Sequence, residues 1–336
     1  MKHKCASARI CGIIPVVSHH VPLEDAADEA TASILIAARL YYEENLSQQQ
    51  VAARLGVSRS SVSRLLQAAR DQGIVHIEIR PPSIVSGVGA RLAASLGLRR
   101  AIAAPAPARG HGTEGLVAPT LAELERLGLG SGDVLAVSWG ATISAVAEAR
   151  RFPQLRGVRL LPAIAGLDET DVHFQTNEIA RRIAHASGAD VSFLHAPALP
   201  TKALRDSLLA DPDLAERLAL WDRLSAALVG IGRPPAELPV GPAHIMSEQN
   251  QLGSAVGDVA SRHFDLEGNA VELEREDQLL GVSRAQLRAA GTVIGVAAGV
   301  GKARSIVGAA RAGLIDVLVT DSVTAAAALE LSEATG

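Results

Sequence analysis

The sequence predicts two domains: an all-α, winged helix-turn-helix unit near the N-terminus, then a larger α/β domain of Rossmann-like build. Three observations predict this. The chain has 336 residues, enough for two domains. Residues 47–69 hold two short helical patterns with complete start signals. Beyond residue 90, short β-rich runs alternate with amphipathic runs, the pattern of a parallel sheet covered on both faces. Composition agrees: 48% of residues are hydrophobic and 20% charged, so a sizeable core can form. Aromatics are only 2% against 30 Gly, so that core is aliphatic and closely packed. The net charge of −4 excludes a uniformly basic surface, and any nucleic-acid contact must be a local patch.

Residues 1–25 read as a disordered extension. The apolar run Ile10–Val17 is broken by Gly12 and Pro15, too poor for a secretion signal. Cys5 and Cys11 are the only cysteines, which excludes a disulfide framework and fits a reducing cytoplasm. Their spacing from His3, His19 and His20 matches no zinc pattern, so neither metal nor cofactor is expected. No run of 18 apolar residues exists, and no membrane partner is expected.

The DNA-binding domain is expected over residues 26–80. Ile34, Leu35, Ala38, Tyr41 and Tyr42 recur at helix spacing from about Glu29, and the run stops at Asn45. Ser47 is placed to cap a second helix, with Gln50 three residues on completing a capping box and Leu46 and Val51 forming a hydrophobic staple. Ser58 starts a third, with Val57 and Val62 as its staple. Gly56 supplies the left-handed turn between them. An ordinary αα-hairpin would share these signals, so the exposed face decides.

With Val62, Leu65, Leu66 and Ala69 inward, the last helix presents Arg59, Ser60, Ser63, Arg64 and Gln67. Arg reads guanine edges, Gln pairs with adenine, and Ser reaches phosphates. Residues 47–80 carry five Arg against Asp71 and Glu78, a local +3. Gln48, Gln49 and Ser58 at the helix starts are expected to contact phosphates or bases alongside them. Ile74–Ile79 alternates like a short wing strand, and residues 81–89 read as a linker.

The domain over residues 90–336 has strand candidates at 101–104, 134–137, 158–161, 191–195, 226–231, 292–298 and 314–320. Helices are expected near 114–128, 141–150, 175–187, 203–209, 213–220, 303–312 and 322–332. Ligands in such sheets sit beyond the carboxyl ends of strands, which singles out three loops. Ser138-Trp139-Gly140-Ala141-Thr142 offers hydroxyls and amides to a phosphate or sugar, or is a tight turn only. Gly299-Val300-Gly301-Lys302 is no Walker A loop, since Ala303 stands where Ser or Thr is needed. Lys302 suits an anionic ligand, or is a solvated surface lysine. Only 4 of the 32 basic residues are Lys, and beyond the N-terminus only Lys202 and Lys302 remain. In the third loop, Asp258 either accepts from ligand hydroxyls or caps a helix starting there. Asp321, after another strand, reads as an N-cap.

These segments together resemble the SorC family of sugar-responsive bacterial transcriptional regulators, described with DeoR-like regulators. The residues carrying the resemblance are 47–69, Ser138–Thr142, Ala196-Pro197-Ala198, Leu228–Gly232, Val256–Asp265 and Gly308–Leu329. The chain departs from the family pattern at Gly299–Lys302, which lacks a glycine pair and an acidic residue, and at Ser261-Arg262-His263. The resemblance implies an effector domain like the sugar-phosphate isomerase and CoA-transferase folds, without their catalysis. It implies Ser138, Gly140, Thr142, Asp258 and Lys302 as the lining of a sugar or sugar-phosphate pocket. It also implies operator DNA as a partner and a homodimer or homotetramer. The competing class is a sugar-phosphate isomerase or deaminase using Asp258, Asp321 or His195. No spacing picks out an acid/base pair among them, and the DNA-reading helix would be idle.

Overall fold

A computed structural model describes residues 23–75, 86–106, 113–167, 175–233, 252–272 and 274–335. The chain divides into two compact units, residues 1–80 and 81–336.

The first unit is built from α1 (Leu23–Tyr42), α2 (Gln48–Leu55) and α3 (Arg59–Asp71). Helix α1 starts at Leu23, inside the extension expected for residues 1–25 and ahead of the start expected at Glu29. Among its residues 31–42, Ile34, Ala37, Ala38 and Leu40 are buried, whereas Leu35 is 46% exposed. The sequence pattern points Leu35 inward, but the small Ala37 and Ala38 take the positions facing α2 and α3. Ser47 and Gln50 form the capping box, and Gly56 adopts φ 68°, ψ 28°. Leu46 packs on the cluster holding Val51, Val62 and Leu66. Val57 is 41% exposed, so the second staple does not close. Of the expected wing, Ile74 and Val75 pack against Ile34, Ala38 and Ala69, and residues 76–80 lie outside the described residues.

The second unit opens with α4 (Ser86–Leu96). This helix takes up residues 86–89 of the linker expected over residues 81–89, and residues 81–85 lie outside the described residues. Gly89 marks close packing rather than flexibility, since a Cβ there would lie 2.3 Å from the Ala101 carbonyl oxygen. There follow β1 (Arg100–Ala104), α5 (Glu114–Arg126), β2 (Val134–Val137), α6 (Ala141–Ala147), β3 (Arg159–Pro162), α7 (Thr176–Ser187) and β4 (Asp190–Val191). Next come α8 (Lys202–Leu209), α9 (Pro212–Leu218), β5 (Ala226–Gly230), β6 (Gly257–Val259), β7 (Arg262–Phe264) and β8 (Ala270–Val271). The chain closes with α10 (Arg284–Ala289), β9 (Thr292–Val296), α11 (Ala303–Arg311), β10 (Val317–Asp321) and α12 (Ser322–Thr335).

Seven strands form one parallel sheet in the order β1-β10-β9-β5-β2-β3-β4. Strand residues alternate between two cores. Val134, Ala136, Ala227 and Val229 face a core with α4, α11 and α12. Leu135, Val137, Ala226 and Leu228 face another with α5, α6 and α7. From β2 the sheet grows one way to β3 and β4, then returns to add β5, β9 and β10 on the other side. The order therefore reverses between β2 and β5, the kind of crevice where such sheets hold ligands. Strand β4 is shorter than the run expected over 191–195. At Leu194 the side-chain amide of Asn177 takes both backbone groups in place of a ladder.

A three-stranded antiparallel sheet, β6-β7-β8, was not expected from the sequence. Ala260 and Ser261, at φ 50° and 61°, make the two-residue turn between β6 and β7.

Candidate effector and nucleic-acid sites

Three loop residues picked out in the sequence meet at one place in the second unit, the carboxyl end of β5. Gly230 N–H donates to Ser138 Oγ at 2.9 Å. The Lys302 ammonium donates to the Ile231 carbonyl. Gly232 N–H donates to the Asp258 carbonyl at 2.8 Å. The strand reversal brings these about: β2 delivers Ser138 on one side of β5, and β9 delivers Lys302 on the other. An antiparallel bridge from Ile231 to Val259 lays the β6–β7 hairpin over the strand end and carries Asp258 with it.

The fit at the strand end is tight. A Cβ on Gly232 would fall 1.6 Å from Asp258 Oδ1, so only glycine leaves room for that carboxylate. Ser138 and Asp258 are buried, while Gly140, Thr142 and Lys302 are half-buried. Asp258 does not cap a helix, as one of its two expected readings had it. It lies within β6, and its Oδ2 accepts the Ser261 N–H at 2.9 Å. The i, i+3, i+4 pattern of Val256, Val259 and Ala260 imitates a helix, but the left-handed pair Ala260-Ser261 turns the chain back instead.

Asp321 does cap a helix. Its Oδ1 accepts from Val323 N–H and Thr324 N–H, and its Oδ2 accepts from the Thr324 hydroxyl and from Gly299 N–H at 3.0 Å. Burial pushes its carboxyl up, but the bonds from Thr324, Gly299 and Val323 outweigh that and hold it below the usual carboxylate range.

Behind the hairpin lies an ionic cluster that composition and spacing did not reveal. Arg262 is buried; it donates to the Gly281 and Val282 carbonyls and pairs with Glu276 at 3.0 Å. Arg284 pairs with the same carboxylate and donates to the His263 carbonyl. Burial raises the Glu276 carboxyl and the two guanidinium groups more than offset it, leaving it below its ordinary value. The segment tied down in this way, residues 280–282, bonds to Ala163 and Ala165 beyond β3. The cluster thus anchors the hairpin to the sheet. The sequence signal for it was only the Arg262-His263 departure.

In the first unit, Val62, Leu66 and Ala69 of α3 are buried, and Arg59, Ser60, Ser63, Arg64 and Gln67 are exposed. Ser58 caps the helix, its Oγ accepting Ser61 N–H and sharing hydrogen bonds with the Ser60 and Ser61 hydroxyls. Gln67 is held within the helix by Asp71 and Arg70, and Arg70 also reaches the Tyr42 hydroxyl. Among the described residues, Arg59 and Arg64 pair with no carboxylate, so both guanidinium groups stand available to an external anion or base edge. Gln49 is exposed and Gln48 half-buried at the start of α2.

Residues 84–330 match a family model described as a "Putative sugar-binding domain", and residues 31–82 match the MarR family. The chain is 30% identical over 298 residues to the deoxyribonucleoside regulator of Bacillus subtilis (strain 168), covering 87% of this chain and 95% of that one. It is 30% identical over 306 residues to the sorbitol operon regulator of Klebsiella pneumoniae, covering 86% and 94%. The crystal structure of full-length SorC from K. pneumoniae superimposes with a TM-score of 0.76 at 29% identity, covering 89% of this chain and 98% of that one.

Proposed function

From a chain that belongs to the SorC/DeoR-type sugar-binding transcriptional regulators, we infer a division of labour between two sites. The α3 face reads a DNA operator in the major groove, through Arg59, Ser60, Ser63, Arg64 and Gln67. Gln48, Gln49 and Ser58 hold the backbone at the helix starts. The strand-end loops of the second unit take a sugar or sugar-phosphate effector, lined by Ser138, Gly140, Thr142, Asp258 and Lys302. The observation that carries this reading is the convergence of Ser138, Asp258 and Lys302 on residues 230–232.

A regulator, not a sugar-phosphate isomerase or deaminase, is what the relatives are, and their class is this chain's class. In this reading the effector domain resembles the sugar-phosphate isomerase and CoA-transferase folds without carrying out their catalysis. Residues 26–80 serve as the DNA-binding domain, and residues 90–336, extended at their start by α4 from Ser86, as the effector and oligomerisation domain. One helix-turn-helix reads one half-site, so the working form is a cytoplasmic homodimer or homotetramer. Effector and operator are linked: a ligand that favours one arrangement of the oligomer shifts operator affinity by the ratio of its affinities for the two states.

A melting screen against sugars, polyols and their phosphates tests the effector half. A ligand at a hundred times its dissociation constant adds about 2.7 kcal/mol to the native state. The expected result is a rise confined to phosphorylated sugars and lost in Lys302→Ala. A screen with no response would overturn the assignment of the strand-end loops.

A further inference from the structure

We propose that Asp321 is a positioning residue for the effector site, which sets the place of Lys302 from the neighbouring strand. The proposal rests on the reading of Lys302 as the seat of the effector's anionic group. Its ground is an unbroken set of hydrogen bonds across three strand ends. Asp321 Oδ2, at the end of β10, accepts Gly299 N–H at 3.0 Å. The Gly299 carbonyl accepts Lys302 N–H at 2.8 Å, closing a single 3-10 turn over Val300–Lys302. The Lys302 ammonium reaches the Ile231 carbonyl beyond β5.

The turn lies against α11 and α12, with its first residues on the surface. Gly299, Val300 and Gly301 are exposed, and Gly299 and Gly301 have open space around their Cα atoms. Gly299 stands at φ 96°, ψ 137°, a conformation that glycine tolerates but does not enforce. A phosphate-binding loop of the Walker type orders itself by wrapping its own amides around the ligand. This loop takes its order from a carboxylate on the next strand, and that carboxylate is fixed in turn by capping α12 through Val323, Thr324 and the Thr324 hydroxyl. Asp321 is buried, and Thr324 is fully so. A solvated N-cap has no need of the second arm. The arm directed to Gly299 is what separates a positioning carboxylate from an ordinary cap.

Two variants separate the arms. In Asp321→Asn, the one remaining side-chain oxygen serves the two amides of the cap, and the amide NH2 meets the Gly299 N–H donor to donor. In Asp321→Ser, a good N-cap remains, but a single short hydroxyl cannot reach both α12 and Gly299. Ser therefore carries the test should Asn fail to fold. Inorganic phosphate is the probe, titrated against the melting midpoint of the full chain, with Lys302→Ala and the Asp321→Asn/Lys302→Ala double variant alongside.

The expected result for Asp321→Asn is phosphate affinity about tenfold weaker, the scale of one lost hydrogen bond to a charged group. In the double variant, affinity should equal that of Lys302→Ala alone, because a residue acting through Lys302 has nothing left to position. A double variant weaker than Lys302→Ala would overturn the proposal, since Asp321 would then act independently. So would Asp321→Asn and Asp321→Ser that both bind phosphate as the parent does while Lys302→Ala does not; that outcome leaves the anion seat standing. Lys302→Ala indistinguishable from the parent would overturn the anion seat itself, and this proposal with it.

Discussion

The two candidate sites are built by opposite means. The proposed base contacts all come from α3, one helix of 13 residues, and its face is exposed and backed by the aliphatic cluster of Val51, Val62 and Leu66. At the end of β5, residues from positions 138, 258 and 302 meet on residues 230–232, and two of the three are buried. The first site is a surface that keeps its shape by helix periodicity. The second is a junction that keeps its shape by long-range hydrogen bonds and buried charge. One side-chain change on α3 should alter binding and leave stability alone, whereas at the junction the two should move together.

The largest effect expected is at the anchor of the hairpin. Removing Glu276 by Glu276→Ala leaves the buried Arg262 and the half-buried Arg284 without their shared carboxylate, at a cost of about 3–5 kcal/mol in denaturant unfolding. The exposed pair Arg54–Glu44 of the first unit is the control, and Glu44→Ala should cost about 1 kcal/mol or less. Equal losses at the two pairs would break the comparison.

Next comes Gly232→Ala. The added methyl falls on Asp258 Oδ1, so the hairpin must shift, with about 1–3 kcal/mol lost and effector binding weakened in the same variant. Ser47→Ala removes the capping box of α2 and should cost about 1 kcal/mol. A smaller signal lies in pH. Hydrogen bonds from Arg181 and then Arg182 hold the Glu178 carboxyl down at about 2. Its folded value lies below the unfolded value of about 4.3, so its contribution is complete above that pH and is lost as pH falls through the folded value. Between about pH 5 and about pH 3, the melting midpoint should therefore drop more gently in Glu178→Gln than in the parent. Parallel melting curves for the two proteins across that window would show that the pair contributes nothing to stability.

What the sequence revealed follows the same division. The α3 face was legible because the 3.6-residue period sorts Val62, Leu66 and Ala69 from Arg59, Ser63 and Arg64 without reference to the rest of the chain. The strand ends near 137, 230 and 298 were legible too, as were the polar residues following them. Their meeting was not, because it depends on strand order, and no local pattern states that β5 lies between β2 and β9. Asp258 misled for a related reason: two residues in left-handed conformation convert a helical spacing into a hairpin. Gly89 read as a linker residue because a glycine that admits a neighbouring carbonyl looks, in sequence, like one that bends freely. The second arm of Asp321 was hidden as well, since its partner, Gly299, is 22 residues away on another loop.

The most direct test of the two-site account is operator affinity, measured by fluorescence anisotropy on a duplex selected for binding, with and without the phosphorylated sugar that raises the melting midpoint. Arg64→Ala should weaken operator binding by about 1–3 kcal/mol and keep the full response to the sugar. Lys302→Ala should bind the operator as the parent does without sugar and lose the response. Arg64→Ala binding operator like the parent, or Lys302→Ala keeping the parent's response, would contradict the account.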